Sequence, residues 1–112
     1  MTIDELIKQS HETAVNSGFY DRDVDINDPD KNASRLMLMV SELSEALEDI
    51  RNGKWETWYD DNGKPHGLPI ELADLAIRLG DYCGWRGLDL EYAIEIKAAY
   101  NKQRPYMHGK AI

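Results

Sequence analysis

The chain has 112 residues, enough for one domain with a core of its own and few enough that a second copy could complete it. Its 13 Lys and Arg against 21 Asp and Glu leave a net charge of -8; a chain so acidic lacks the basic face that nucleic-acid backbones require, so no nucleic-acid partner is expected. No run of residues approaches the roughly 20 apolar positions of a membrane span, the N-terminal M-T-I-D-E-L-I-K carries no basic leader, and the single Cys83 can form no intrachain disulfide, which together predict a reducing, cytoplasmic setting without a membrane partner.

Thr2 and Glu5 have the spacing of a capping box, and Ile3, Leu6, Ile7, Ala14 and Val15 form a loose helical stripe, so a first helix is expected over residues 3 to 17, stopped by Gly18. His11 lies within it; a lone helical histidine serves more often in packing than as a ligand, and it is given no role. From Phe19 to Asn32 acids alternate with scattered apolar residues around Pro29, which reads as a connecting loop. Counted as a calcium loop from Asp21, its sixth and twelfth positions are Ile26 and Asn32 where glycine and glutamate are needed, so a solvated acidic loop is the better reading.

The second helix is expected to begin between Lys31 and Ser34 and to run to about Asn52, ahead of Gly53. Within it Leu36, Met39, Val40, Leu43, Leu47 and Ile50 recur at the spacing that holds one helix face against a core. At about 100° per residue, Glu42 falls on the edge of that stripe and Glu45 about 60° further round, so both acids leave one rim from neighbouring turns. Residues 53–68 break the helical period and carry turn chemistry at Asn62-Gly63 and Pro65. In this connection Trp55, Trp58 and Tyr59 are aromatic surfaces on which a nucleobase could stack, although such residues also cap small cores.

Pro69 suits the first turn of a third helix that continues through Ile70, Leu72, Ala73, Ala76, Ile77 and Leu79 toward Gly84. It carries a second acid pair, Glu71 and Asp74, with the same three-residue step. Asp89 is placed to cap a fourth helix, with Leu90, Ala93, Ile94 and Tyr100 on its inner face and an end near Arg104. Lys97, Asn101 and Arg104 line one stripe of that helix and complement phosphate. No strand shows convincing alternation, and the expected architecture is a single all-α domain over residues 1–112 with the 53–68 connection between its acidic motifs.

Two E-x-x-[ED] pairs on facing helices would gather four carboxylates, an oxygen-rich set suited to Mg²⁺, with Mn²⁺ as a possible substitute, that leaves coordination positions open for phosphate and a nucleophilic water. A di-iron bundle would characteristically use Glu-x-x-His, and no histidine here follows an acid at that spacing.

The order S-E-L-S-E-A-L-E-D-I-R, E-L-A-D-L-A-I-R, K-A-A-Y-N-K-Q-R-P and H-G-K, spread over residues 34–110, resembles the MazG-like all-α nucleoside triphosphate pyrophosphohydrolases. The resemblance implies a four-to-five-helix bundle completed by oligomerisation as a dimer or tetramer, with sites near subunit interfaces. It implies Mg²⁺ ligands at Glu42, Glu45, Glu71 and Asp74, and nucleotide contacts from Lys97 and Asn101, with Arg104 and His108-Gly109-Lys110 on the phosphate side. The implied reaction cleaves a (deoxy)nucleoside triphosphate between its α and β phosphates, as nucleotide-pool house-cleaning. Glu45 is taken as the general base, with Glu48 one turn further on in support, and Trp55 and Trp58 as aromatic contacts. A non-catalytic helical module that binds a nucleotide or a protein is the competing expectation. The Trp-rich connection matches no pattern of that family.

Overall fold

The computed structural model describes residues 1–22 and 25–105; the expected contribution of His108, Gly109 and Lys110 lies outside the described residues. Four helices, α1 (Ile3–Asn16), α2 (Pro29–Arg51), α3 (Leu68–Arg86) and α4 (Leu90–Lys102), carry the fold, with two short strands, β1 (Trp58–Tyr59) and β2 (Pro65–His66), between α2 and α3. No helix among the described residues is long and apolar enough to cross a membrane.

Local chemistry sets most boundaries. The backbone N–H of Glu5 donates to Thr2 Oγ1 and the N–H of Thr2 to Glu5 Oε1, both at 3.1 Å, so the capping box forms as expected. Gly18 takes φ 87°, and the N–H groups of Gly18 and Phe19 close on the carbonyls of Val15 and Ala14 to end α1. α2 begins earlier than the expected Lys31 to Ser34: Asp28 caps it through the N–H of Asp30 at 2.9 Å, and Pro29 sits in its first turn, where a missing N–H costs nothing. Pro29 is therefore a helix start and not part of the loop.

The 53–68 connection folds into a hairpin, contrary to the expectation of no strand. Trp58 pairs across from His66 and Tyr59 from Pro65. Two-residue strands are too short to show alternation; what holds the ribbon is Asp60, whose Oδ1 accepts from the N–H groups of Asn62 and Lys64 at 2.9 and 3.0 Å. At its base Gly67 has φ 106°, and a Cβ there would stand 2.1 Å from the carbonyl oxygen of Glu56.

α3 is the hub. It runs past the expected stop at Gly84 to a left-handed cap at Gly87. Gly80 and Gly84, one turn apart, instead let α1 approach: a Cβ at Gly80 would lie 2.9 Å from Ser10 Oγ, and one at Gly84 2.6 Å from His11 Cβ. α2 packs on another side of α3 while α4 packs beside α1. Tyr82 donates to Asn32 Oδ1 at 2.7 Å and Arg86 to the same oxygen at 3.1 Å, pinning the start of α2 to the end of α3. Buried Ala14, Met39, Ala46, Cys83 and Trp85 form the core, and burial raises the pKa of the Cys83 thiol, as a packed structural thiol requires.

The apolar stripe of α2 does not face one way. Met39, Glu42 and Ala46 turn inward, whereas Leu36, Val40, Leu43 and Leu47 are each 46–50 % exposed. The expected inner face of α4 is open as well, with Ile94 at 45 % and Tyr100 at 57 %. The radius of gyration of 16.8 Å exceeds the value of about 13 Å for a compact chain of this length.

Candidate metal centre

Because α2 and α3 lie side by side, their acids meet. Glu42, Glu45 and Glu71 each offer one carboxylate oxygen within 4.8 Å of the other two. The three-residue step on α2 splits its pair by depth: Glu42 faces α3 and is 6 % exposed, while Glu45 stands exposed at the rim. Asp74 is exposed and lies outside that tight trio, but close enough to Glu42 for the two charges to act on one another.

The sequence reading missed Asp49. It lies seven residues beyond Glu42 and four beyond Glu45, so the three acids share one helix face, a periodicity the sequence already displays. Its charge acts on Glu71, and its Oδ2 is buried without a hydrogen-bond partner among the described residues. Ser44, Glu45, Glu48, Asp49 and Glu71 line an open recess of about 300 Å³. Glu48 lines this recess but spends one oxygen on Arg51 at 2.9 Å.

Desolvation and crowding both act on the acids. The pKa of Glu71 is pushed up to about 7, first by burial, then by the adjacent Glu45 carboxylate and by the charges of Asp49 and Asp74. Asp74, exposed at its outer edge but partly desolvated by its neighbours, is raised by that desolvation and by Glu42, with Arg78 and Lys64 opposing. Among the described residues a counter-charge reaches inside: Arg78 Nε donates to Glu42 Oε1 at 2.7 Å, and Glu42 Oε2 is buried there with no hydrogen-bond partner.

These residues fit a hard divalent cation. Ligands of an ion at about 2.1 Å stand up to about 4.2 Å apart, so a trio within 4.8 Å closes on one ion by side-chain adjustment. The donors are all carboxylate oxygens, the choice of Mg²⁺ or Mn²⁺ over softer metals. Among the described residues, buried carboxylate oxygens on Glu42 and Asp49 lack the partner that a buried acceptor needs.

The remaining expected site residues stand apart from the acids within one chain. Lys97 and Arg104 flank Tyr100, with Lys97 Nζ 4.8 Å and the Arg104 guanidinium carbon 5.8 Å from its ring centre, and Asn101 has Oδ1 buried without a hydrogen bond among the described residues. They ride on α4, and no α4 charge is among those that shift Glu71 or Asp74. Trp55 is 58 % exposed; Trp58 stacks on His66 at 4.5 Å, with Lys54 Nζ 5.1 Å from its ring centre.

His11, assigned no role from the sequence, belongs to a polar cluster. Its Nδ1 meets Asp81 Oδ1 at 2.9 Å, Tyr20 OH donates to the same carboxylate, and the Arg35 guanidinium lies over the rings of Tyr20 and Trp85. Burial and Asp81 together raise the pKa of Tyr20. Arg35 and Asp81 line a cavity of about 330 Å³ that reaches Glu42, Asp74 and Arg78, so it abuts the acid cluster. No protein-family model, curated protein or solved structure matches the chain.

Proposed function

We propose that this chain is a Mg²⁺-dependent nucleoside triphosphate pyrophosphohydrolase of the MazG-like type, converting a (d)NTP to the (d)NMP and pyrophosphate in nucleotide-pool house-cleaning. The observation that carries the reading is the convergence of Glu42, Glu45 and Glu71 within 4.8 Å, joined by buried oxygens of Glu42 and Asp49 that have no hydrogen-bond partner among the described residues. Like charges packed this closely are stabilised by a cation or a proton, and Glu71 is raised first by burial and then by its acidic neighbours Glu45, Asp49 and Asp74.

Glu42, Glu45 and Glu71 would hold the ion, with Asp74 and Asp49 beside them. When bound, Mg²⁺ neutralises phosphate charge and acidifies a water enough to serve as nucleophile. Glu45, exposed at the rim next to Glu71, is the carboxylate we assign to take the proton from the attacking water. The water oxygen joins the α phosphorus, the bond from that phosphorus to the bridging oxygen breaks, and pyrophosphate leaves with the electron pair.

The reading includes a homodimer or homotetramer. The accessible surface of 8455 Å² exceeds the roughly 6300 Å² of a folded monomer of this mass, and the open leucine face of α2 is apolar surface of the kind subunits cover. In such an assembly the Lys97, Asn101 and Arg104 stripe and the aromatics Trp55 and Trp58 would serve a neighbouring acid cluster. Incubation with a panel of dNTPs and NTPs in Mg²⁺ tests the activity: pyrophosphate and a monophosphate are expected, and release of neither from any nucleotide overturns the proposal.

A further inference from the structure

We infer that Arg78 is an exchangeable counter-charge: it occupies Glu42 while the acid cluster lacks its ion, and turns to the phosphate chain of the substrate once Glu42 is committed to the ion. The inference rests on the metal-centre reading above and assigns a positioning role to a residue outside the two acid motifs.

Three observations carry it. Arg78 reaches Glu42 through Nε alone, at 2.7 Å, and its terminal nitrogens make no hydrogen bond among the described residues. The Arg78 side chain is 43 % exposed and lines the cavity that Asp74 and Arg35 also line, so its remaining donors border open space next to the acids. Glu42, by contrast, is nine-tenths buried and keeps Oε2 unsatisfied, so Arg78 meets only half of what that carboxylate demands. A buried carboxylate with one oxygen unpartnered favours a cation that engages it more fully, and a guanidinium displaced from it offers a planar fork that matches phosphate oxygens in pairs. Arg78 lies four residues after Asp74 on the same helix face, so little more than side-chain rotation takes it from one partner to the other.

The experiment measures binding, not turnover. Mn²⁺ affinity is determined calorimetrically without phosphate, and the affinity for tripolyphosphate, a phosphate chain without base or sugar, in excess Mg²⁺. Arg78→Gln should bind Mn²⁺ about five- to tenfold more tightly than wild type, because a competitor for Glu42 is gone, and should bind tripolyphosphate about tenfold or more weakly. Lys64→Gln is the control for charge alone: Lys64 acts on Asp74 but makes no hydrogen bond or ion pair with Glu42 among the described residues, and its loss should tighten Mn²⁺ distinctly less.

Arg78→Gln that gains no more Mn²⁺ affinity than Lys64→Gln, or that binds tripolyphosphate as wild type does, overturns the inference. Should Arg78→Gln not fold, Arg78→Lys retains the charge beside Glu42 and carries the test, with several-fold weaker tripolyphosphate binding expected and unchanged binding counting against the exchange. Wild-type protein that takes up no Mn²⁺ at millimolar concentration removes the metal-centre reading itself; wild type that binds Mn²⁺ beside an indifferent Arg78→Gln removes only the role of Arg78.

Discussion

Gly84 on α3 and His11 on α1 stand so close that a methyl group on the glycine would come within 2.6 Å of the histidine Cβ. Gly84→Ala gains helix propensity worth up to about 1 kcal/mol, but forcing the helices apart costs about 1–3 kcal/mol. The expected net is a destabilisation of up to about 2 kcal/mol, read from the denaturant midpoint. An Ala variant more stable than wild type by the full propensity gain of about 1 kcal/mol would mean the two helices separate freely, and the hub role of α3 would not stand.

Removing a charge from the carboxylate cluster should abolish turnover without unfolding the chain. Glu45→Gln and Asp74→Asn are both exposed substitutions, so circular dichroism should be unchanged, while pyrophosphate release falls by about 100-fold or more. Turnover at the wild-type rate in either variant removes that residue from the site.

Stability without metal should fall as pH rises. Glu71 has a folded pKa near 7 against an ordinary 4.5; between these values the folded chain holds more protons than the unfolded one, so stability declines as pH climbs through that window and levels off above it. Melting temperature in chelator should follow this course from pH 5 to pH 8. Millimolar Mg²⁺ should offset the loss on the alkaline side. Glu71→Gln should flatten the profile in chelator and lose the response to Mg²⁺; a profile in the variant that matches wild type would place the titration elsewhere.

Binding of Mn²⁺ just below neutral pH should release protons, because a carboxylate must lose its proton to become a ligand. Calorimetry in two buffers of different ionisation enthalpy reads the number directly. Identical heats in both would show that Glu71 is already ionised there.

The open leucines of α2 should report on assembly. Leu43 is 50 % and Leu47 46 % exposed in the single chain, so a lysine at Leu43 costs a monomer little and an apolar interface a great deal. Light scattering should find an oligomer for wild type and a smaller species for Leu43→Lys. A wild-type monomer at micromolar concentration would leave the α2 face without a subunit to cover it.

What could be read directly from the chain is what depends on neighbours in sequence. The Thr2 and Glu5 capping box, the Gly18 and Gly53 stops, the Asp89 cap and the three-residue acid pairs are each set within a few residues, by hydrogen bonds to the local backbone or by helical period. Pro29 was misread because a proline in the first helical turn and a proline in a loop look alike until the Asp28 cap is seen. The Trp58–His66 ribbon escaped notice because its order resides in Asp60 and the turn, not in strand periodicity.

Tertiary packing alone decided which side of each helix is inside. α2 has a wide apolar surface, and only its docking on α3 selects Met39, Glu42 and Ala46 for burial and leaves Leu36, Leu43 and Leu47 open. That same choice buries Glu42 while Glu45 stays at the rim, brings in Asp49, and sets Arg78 against Glu42 from 36 residues away. Spacing along the sequence fixes which side chains share a face; desolvation and like-charge crowding arise only when two such faces meet, and those are the forces that set the chemistry of the cluster.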